Sequence, residues 1–90
     1  MKRINKNTPF GVLLVKKLDE NNITYNQFAD MVGVSPITAY SWSKKNIPTP
    51  FYFSRIVYAL MLTEEEYEKW CDAIGKTVEQ RYKGCVGYGK

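Results

Sequence analysis

The sequence predicts an all-α fold of five helices in one small domain, and three observations predict it. Apolar residues recur three and four positions apart in one segment after another, the period of a helix face turned to a core. A Ser or Thr precedes each of these segments, and in three cases proline follows directly: Thr8-Pro9, Ser35-Pro36 and Thr49-Pro50. No segment alternates apolar and polar residues as a half-buried strand does. Ninety residues, 44% of them hydrophobic, suffice for one modest core and no more.

Residues 1–7 read as a loose basic arm, with Lys2, Arg3 and Lys6 and little to bury except Ile4. Thr8 then caps the first helix, and Pro9 stands where a missing amide costs nothing. Phe10, Leu13, Leu14 and Leu18 form its apolar stripe, and Asn22 suits the left-handed residue that ends it. Thr24-Tyr25-Asn26-Gln27 spells a capping box for the second helix, in which hydroxyl and amide each satisfy the other's orphan donor. Phe28, Ala29 and Val32 face inward, and Gly33 closes this helix in a turn that needs positive φ. Ser35-Pro36 opens the third helix, which runs to about Lys45 before Asn46-Ile47-Pro48 ends it.

Thr49-Pro50 opens the fourth helix, with Phe53, Ile56, Val57 and Leu60 as its stripe. Thr63 and Glu66 cap the fifth, whose inner face is expected to be Tyr67, Trp70, Cys71 and Ile74. Cys71, on that stripe, reads as a small buried hydrophobe. Glu64, Glu65 and Glu66 complement the positive end of the helix dipole and are expected to face solvent. The pattern weakens after Gly75. The domain is therefore drawn over 1–75 and an extension over 76–90, with a further turn or two of helix from Thr77 to Lys83 and a flexible end from Gly84 to Lys90.

The net charge of +4 favours polyanionic partners without specifying one. The acidic stretch from Thr63 to Gly75 must face away from any phosphate backbone. Enzymatic function is not expected: with no histidine, a cysteine nucleophile lacks its usual base, and no residues stand at metal-ligand spacing. No glycine-rich loop opens a helix in the phosphate-cradling manner. No cofactor and no metal are expected. Cys71 and Cys85 read as reduced thiols, Cys85 an incidental one, and no apolar run is long enough to span a bilayer, so a cytoplasmic protein without membrane contact is the expectation.

Thr24 to Trp42 resembles the helix-turn-helix of the phage-repressor family, the Cro/CI or XRE-like domains. The residues that carry the resemblance are Phe28-Ala29, Gly33-Val34-Ser35, Thr38 and Trp42, and the likeness extends over about Phe10 to Leu62. It implies a compact lambda-repressor-like arrangement in which the third helix, about 35–45, enters the major groove of double-stranded DNA. The chain departs from the family at Tyr25, where a phosphate-seating Gln is usual. It departs again at Leu18 and Ser43, where the family often pairs Arg with Glu. Both partners of that pair are absent together, so no lone buried charge results. Lys44-Lys45-Asn46 replaces the usual Asn-Gly segment.

Carried over position by position, the resemblance makes Ser35, Pro36, Ile37, Tyr40 and Ser41 the base-facing residues. Tyr25, Asn26, Thr38, Lys44, Lys45 and Asn46 become phosphate contacts, with Lys16, Lys17 and Arg55 as further candidates. Helical geometry agrees: with Ala39 and Trp42 inward, Ile37, Tyr40, Ser41 and Lys44 point outward. None of the base-facing residues is Arg, Gln or Asn, so direct readout is expected to be modest and DNA shape to share the work. A repressor-like regulator acting as a homodimer is the expected function, with the fifth helix and the tail residues Tyr82, Val86 and Tyr88 as the expected dimer face. The alternative is a protein-interaction module, of the phage-inhibitor or antitoxin kind, that turns the Pro36, Ile37 and Tyr40 surface to a protein partner.

Overall fold

The structure is a computed structural model that describes the backbone of residues 7–86 and the side chains of residues 7–79. Lys2, Arg3, Ile4, Lys6, Tyr82, Cys85, Val86 and Tyr88, named above, lie outside the described side chains. Five helices follow in chain order, α1 (Pro9–Glu20), α2 (Tyr25–Val32), α3 (Pro36–Lys44), α4 (Pro50–Leu60) and α5 (Glu64–Val86), and no strand occurs among the described residues.

Each helix starts where a hydroxyl takes an orphan amide. Thr8, Thr24, Ser35 and Thr49 accept from the amides of Gly11, Gln27, Thr38 and Tyr52. Thr63 accepts from Glu66, whose carboxylate returns the bond to the Thr63 amide at 2.9 Å. The capping box at Thr24 and Gln27 is complete, and Gly33 ends α2 with φ 87°. Asn22 takes the left-handed conformation after α1, at φ 55°.

α1 lies between α5 and α3, and α2 packs on α3 and α4. The core is built from the inward faces: Phe10, Leu14, Leu18, Phe28, Ala29, Val32, Ala39, Trp42, Phe53, Ile56, Leu60, Trp70 and Ala73. Its rings meet edge to face, Phe10 against Trp70 at 5.5 Å and Phe28 against Trp42 at 6.2 Å, the geometry that ring quadrupoles favour. α1 crosses α3 so closely that a Cβ on Gly11 would overlap the carbonyl of Ser43. Ser43 is fully buried there, and its hydroxyl donates to the Tyr40 carbonyl at 2.6 Å.

α5 differs from its sequence expectation in three respects, its length, its inner face and the place of Glu66. It does not end near Gly75 but continues as one helix through the point where the extension was drawn. Thr77 is the reason for part of that: fully buried, its hydroxyl accepts from the Phe10 amide at 3.2 Å and donates to the Ala73 carbonyl. Residue 77 thus satisfies one of the orphan amides of α1 and belongs to the same packed unit. The inner face of α5 is Trp70, Ala73 and Thr77, with Ile74 half-buried beside them. Cys71 is exposed, against expectation, because it lies about 100° around the helix from Trp70. Tyr67 stands at the rim, its ring stacked on Phe53 at 5.7 Å rather than enclosed. Glu66, expected in solvent with its neighbours, instead pairs with Lys17 at 2.6 Å.

Candidate nucleic-acid interface

α2 and α3 meet at a corner of three residues, Gly33 to Ser35, and the corner sets which side of α3 is left bare. α2 packs on α3, and Val32 and Ala29 on the one and Ala39 and Trp42 on the other are buried in one core. The opposite side of α3 then turns outward by geometry alone. Ile37 is 81% exposed and Tyr40 49%, and Ser35 and Pro36 are exposed at the helix start. These four residues share one uncovered surface. Ser41 is half-buried at its margin.

The hydroxyls on this surface are already engaged, which defines what each can still offer. Ser41 donates to the Thr38 carbonyl at 2.7 Å, so its oxygen is left with lone pairs to accept with. Ser35 donates to the Thr38 hydroxyl at 3.1 Å and accepts the Thr38 amide. Thr38 is half-buried and acts within the cap of α3.

Of the residues expected at phosphates, Tyr25 and Lys44 gather around Tyr40. The Tyr25 ring meets Tyr40 edge-on at 5.4 Å, and the Lys44 ammonium stands 5.5 Å from the Tyr40 ring centre. Lys44 also donates to Asn7 Oδ1 at 2.9 Å, which ties the start of the described chain to the end of α3. Asn7 carried no signal in the sequence, since its partner is 37 positions away. Asn26, in the first turn of α2, and Lys45 and Asn46, after α3, are exposed. No acid stands in the first turn of α2 or α3, so neither positive helix end is offset by a carboxylate of its own. An open depression of about 350 Å³ lined by Asn26, Asp30, Val34 and Pro36, among others, separates the two helix starts.

Three other basic candidates stand elsewhere. Lys17 is held by Glu66 in a groove between α1 and α5 that Lys16, Glu20 and Lys69 also line. Hydrogen bonding from Lys17, then from the Thr63 backbone, holds the Glu66 carboxyl below its ordinary value. Arg55 donates to the Val32 carbonyl at 2.7 Å and lies over the Phe51 ring, so it closes the end of α2. The acidic helix α5 packs chiefly on α1.

Among the described residues no group of three or more Cys, Asp or Glu is placed to hold a metal ion, and no helix is long and apolar enough to cross a membrane. Comparison with protein-family models, with curated proteins and with solved structures gave no match.

Proposed function

We propose that this chain is a sequence-specific binder of double-stranded DNA, a small repressor-like regulator whose α2–α3 unit is a helix-turn-helix of the lambda-repressor kind. The observation that carries the reading is the bare side of α3: Pro36, Ile37 and Tyr40 project from a helix whose other side is locked to the core by Ala39 and Trp42. A helix anchored in this way presents a fixed edge of the right width for a major groove. Ile37 and Pro36 suit thymine methyls, and the Ser41 oxygen accepts from the exocyclic amines of adenine or cytosine. Tyr25, Asn26, Lys44, Lys45 and Asn46 flank that edge as phosphate contacts, which position the helix without reading sequence. One such helix reads only a few base pairs, so two copies on two half-sites complete the reading.

Selection of bound duplexes from a random pool tests this directly: enrichment of a two-fold-symmetric sequence is the expected result. A salt titration on random duplex supplies the second arm. Counterion release requires affinity to fall steeply with salt when several lysines meet phosphates.

One observation favours a second reading. The outermost side chains of α3 are apolar, and none is the Arg, Gln or Asn that makes bidentate base contacts. A protein-interaction module using Pro36, Ile37 and Tyr40 accounts for that surface equally simply. Absence of any duplex binding at low salt selects it over the DNA reading.

A further inference from the structure

α4 carries a sparsely charged outer surface. Its sequence contains no Asp, Glu or Lys, and its one charged residue, Arg55, bonds the Val32 carbonyl and lies over the Phe51 ring. What remains outward is a seam of Phe51, Ser54, Tyr58 and Met61. Phe51 is 62% exposed, Tyr58 86% and Met61 82%, and Met31 of α2 adds a further exposed thioether beside Tyr58. Met61 presents its chain from a left-handed backbone at φ 52°, a conformation in which glycine would be unstrained.

Phe51, Ser54 and Tyr58 are spaced three and four residues apart on α4, the interval at which one helix packs its side chains into another, and Met61 follows three residues on, just past the helix end. It is also complementary to itself. Laid antiparallel on a second copy, with a two-fold axis near Ile56, Phe51 faces the other Met61 and Tyr58 faces the other Ser54. Each large side chain then meets a smaller or softer one, and sulfur against an aromatic edge is a favourable contact. The Ser54 hydroxyl already donates to the Phe51 carbonyl at 2.9 Å, so burying it strands no donor. A depression of about 320 Å³ lined by Met31, Arg55, Tyr58 and Ala59 opens beside the seam to take a neighbouring side chain.

We infer that α4 is a homodimer interface, in which the Phe51–Ser54–Tyr58–Met61 seam of one copy packs antiparallel on the same seam of a second. Exposed aromatic and methionine side chains of about 100–200 Å² each, doubled across the axis, reach on the order of 1,000 Å², where specific interfaces begin. The partner is a second copy because the seam, by its residue spacing, matches its own reverse and contains no charged residue, with Arg55 lying beside it over the Phe51 ring. This deepens the two-copy part of the reading above by naming a face for it other than the fifth helix and tail expected from the sequence.

Sedimentation of the full chain without DNA, over a concentration series, tests it. The wild-type chain is expected to show a monomer–dimer equilibrium with a dissociation constant in the micromolar range. Tyr58→Glu and Ser54→Lys, both at exposed positions, are expected to raise that constant by about tenfold or more while leaving the circular-dichroism melt of the monomer unchanged. Glu68→Lys on α5 is expected to leave the constant as it is. A wild-type chain that stays monomeric to about 1 mM, or a dimer that tolerates both α4 substitutions, overturns the inference. DNA binding is scored separately: duplex binding by a strictly monomeric wild type sinks the α4 interface alone, whereas a dimer that binds no duplex sinks the DNA reading alone.

Discussion

Gly11 and Gly75 are both glycines inside helices, where glycine ordinarily costs about 0.5–1 kcal/mol relative to alanine. Their surroundings give them opposite signs. A Cβ at Gly11 meets the Ser43 carbonyl, whereas a Cβ at Gly75 finds nothing within 4 Å. Gly11→Ala is therefore expected to destabilise by about 2–3 kcal/mol, since neither α1 nor α3 can withdraw without uncovering Phe10 and Trp42. Gly75→Ala is expected to stabilise by about 0.5–1 kcal/mol, and urea unfolding of the two variants measures both. A second contrast concerns α3. Alanine at Lys44 and Lys45 is expected to weaken binding to every duplex alike and to flatten its salt dependence, because a phosphate contact is blind to sequence. Substitution of Tyr40 or Ser41 is expected to change which duplexes are preferred. Filter binding on a panel of probes checks the division, and equal effects of both pairs on every probe contradict it.

At the scale of the helix, the starts were legible and one end was not. All five helices begin at the hydroxyl residue that the sequence marks, because an N-cap is a contact between residues three apart and needs no knowledge of the rest of the chain. Thr24→Ala removes one partner of the capping box that opens α2, and a loss of about 1 kcal/mol in thermal or urea unfolding is expected. The continuation of α5 past Gly75 was not legible. Glycine lowers helix propensity locally, but Thr77 is held by the Phe10 amide, 67 residues away, and tertiary packing overrides the propensity. The same displacement explains Cys71 and Tyr67. The apolar stripe in the sequence lies one step around the helix from the face that α1 covers, and only the position of α1 identifies Trp70, Ala73 and Thr77 as the inward row.

The whole molecule is closed on the α1–α5 side by the contact of Lys17 with Glu66, a pair separated by 49 residues. The Glu66 carboxyl titrates below its ordinary value of 4.5 because the Lys17 ammonium and the Thr63 amide both bond its charged form. A carboxyl with a lowered folded-state pKa adds stability that is complete above its unfolded value and is lost as the pH falls through the folded one. Stability is thus expected to be level with respect to this group from neutral pH to about 4.5 and to decline below it. Glu66→Gln should lessen that decline, and so should high salt, which screens a half-exposed pair. Unfolding curves taken from pH 7 to 3 on both chains measure the difference. This pairing offsets the charge of one of the cations expected at phosphates, Lys17, whereas Arg55 bonds a neutral carbonyl and keeps its charge, as do Lys16, Lys44 and Lys45.

By itself the sequence determined the number of helices, where each begins, the left-handed corner at Gly33 and the outward side of α3. All of these follow from contacts within one or two helical turns, or from a period of 3.6 residues applied to Ala39 and Trp42. Only the tertiary structure decided that Gly11 admits α3, that Thr77 completes α1, that Lys17 and Arg55 are engaged, and that the seam on α4 is left uncovered. Each of these depends on which helix lies against which, and packing of separate segments is a property of the assembled chain that no local spacing encodes.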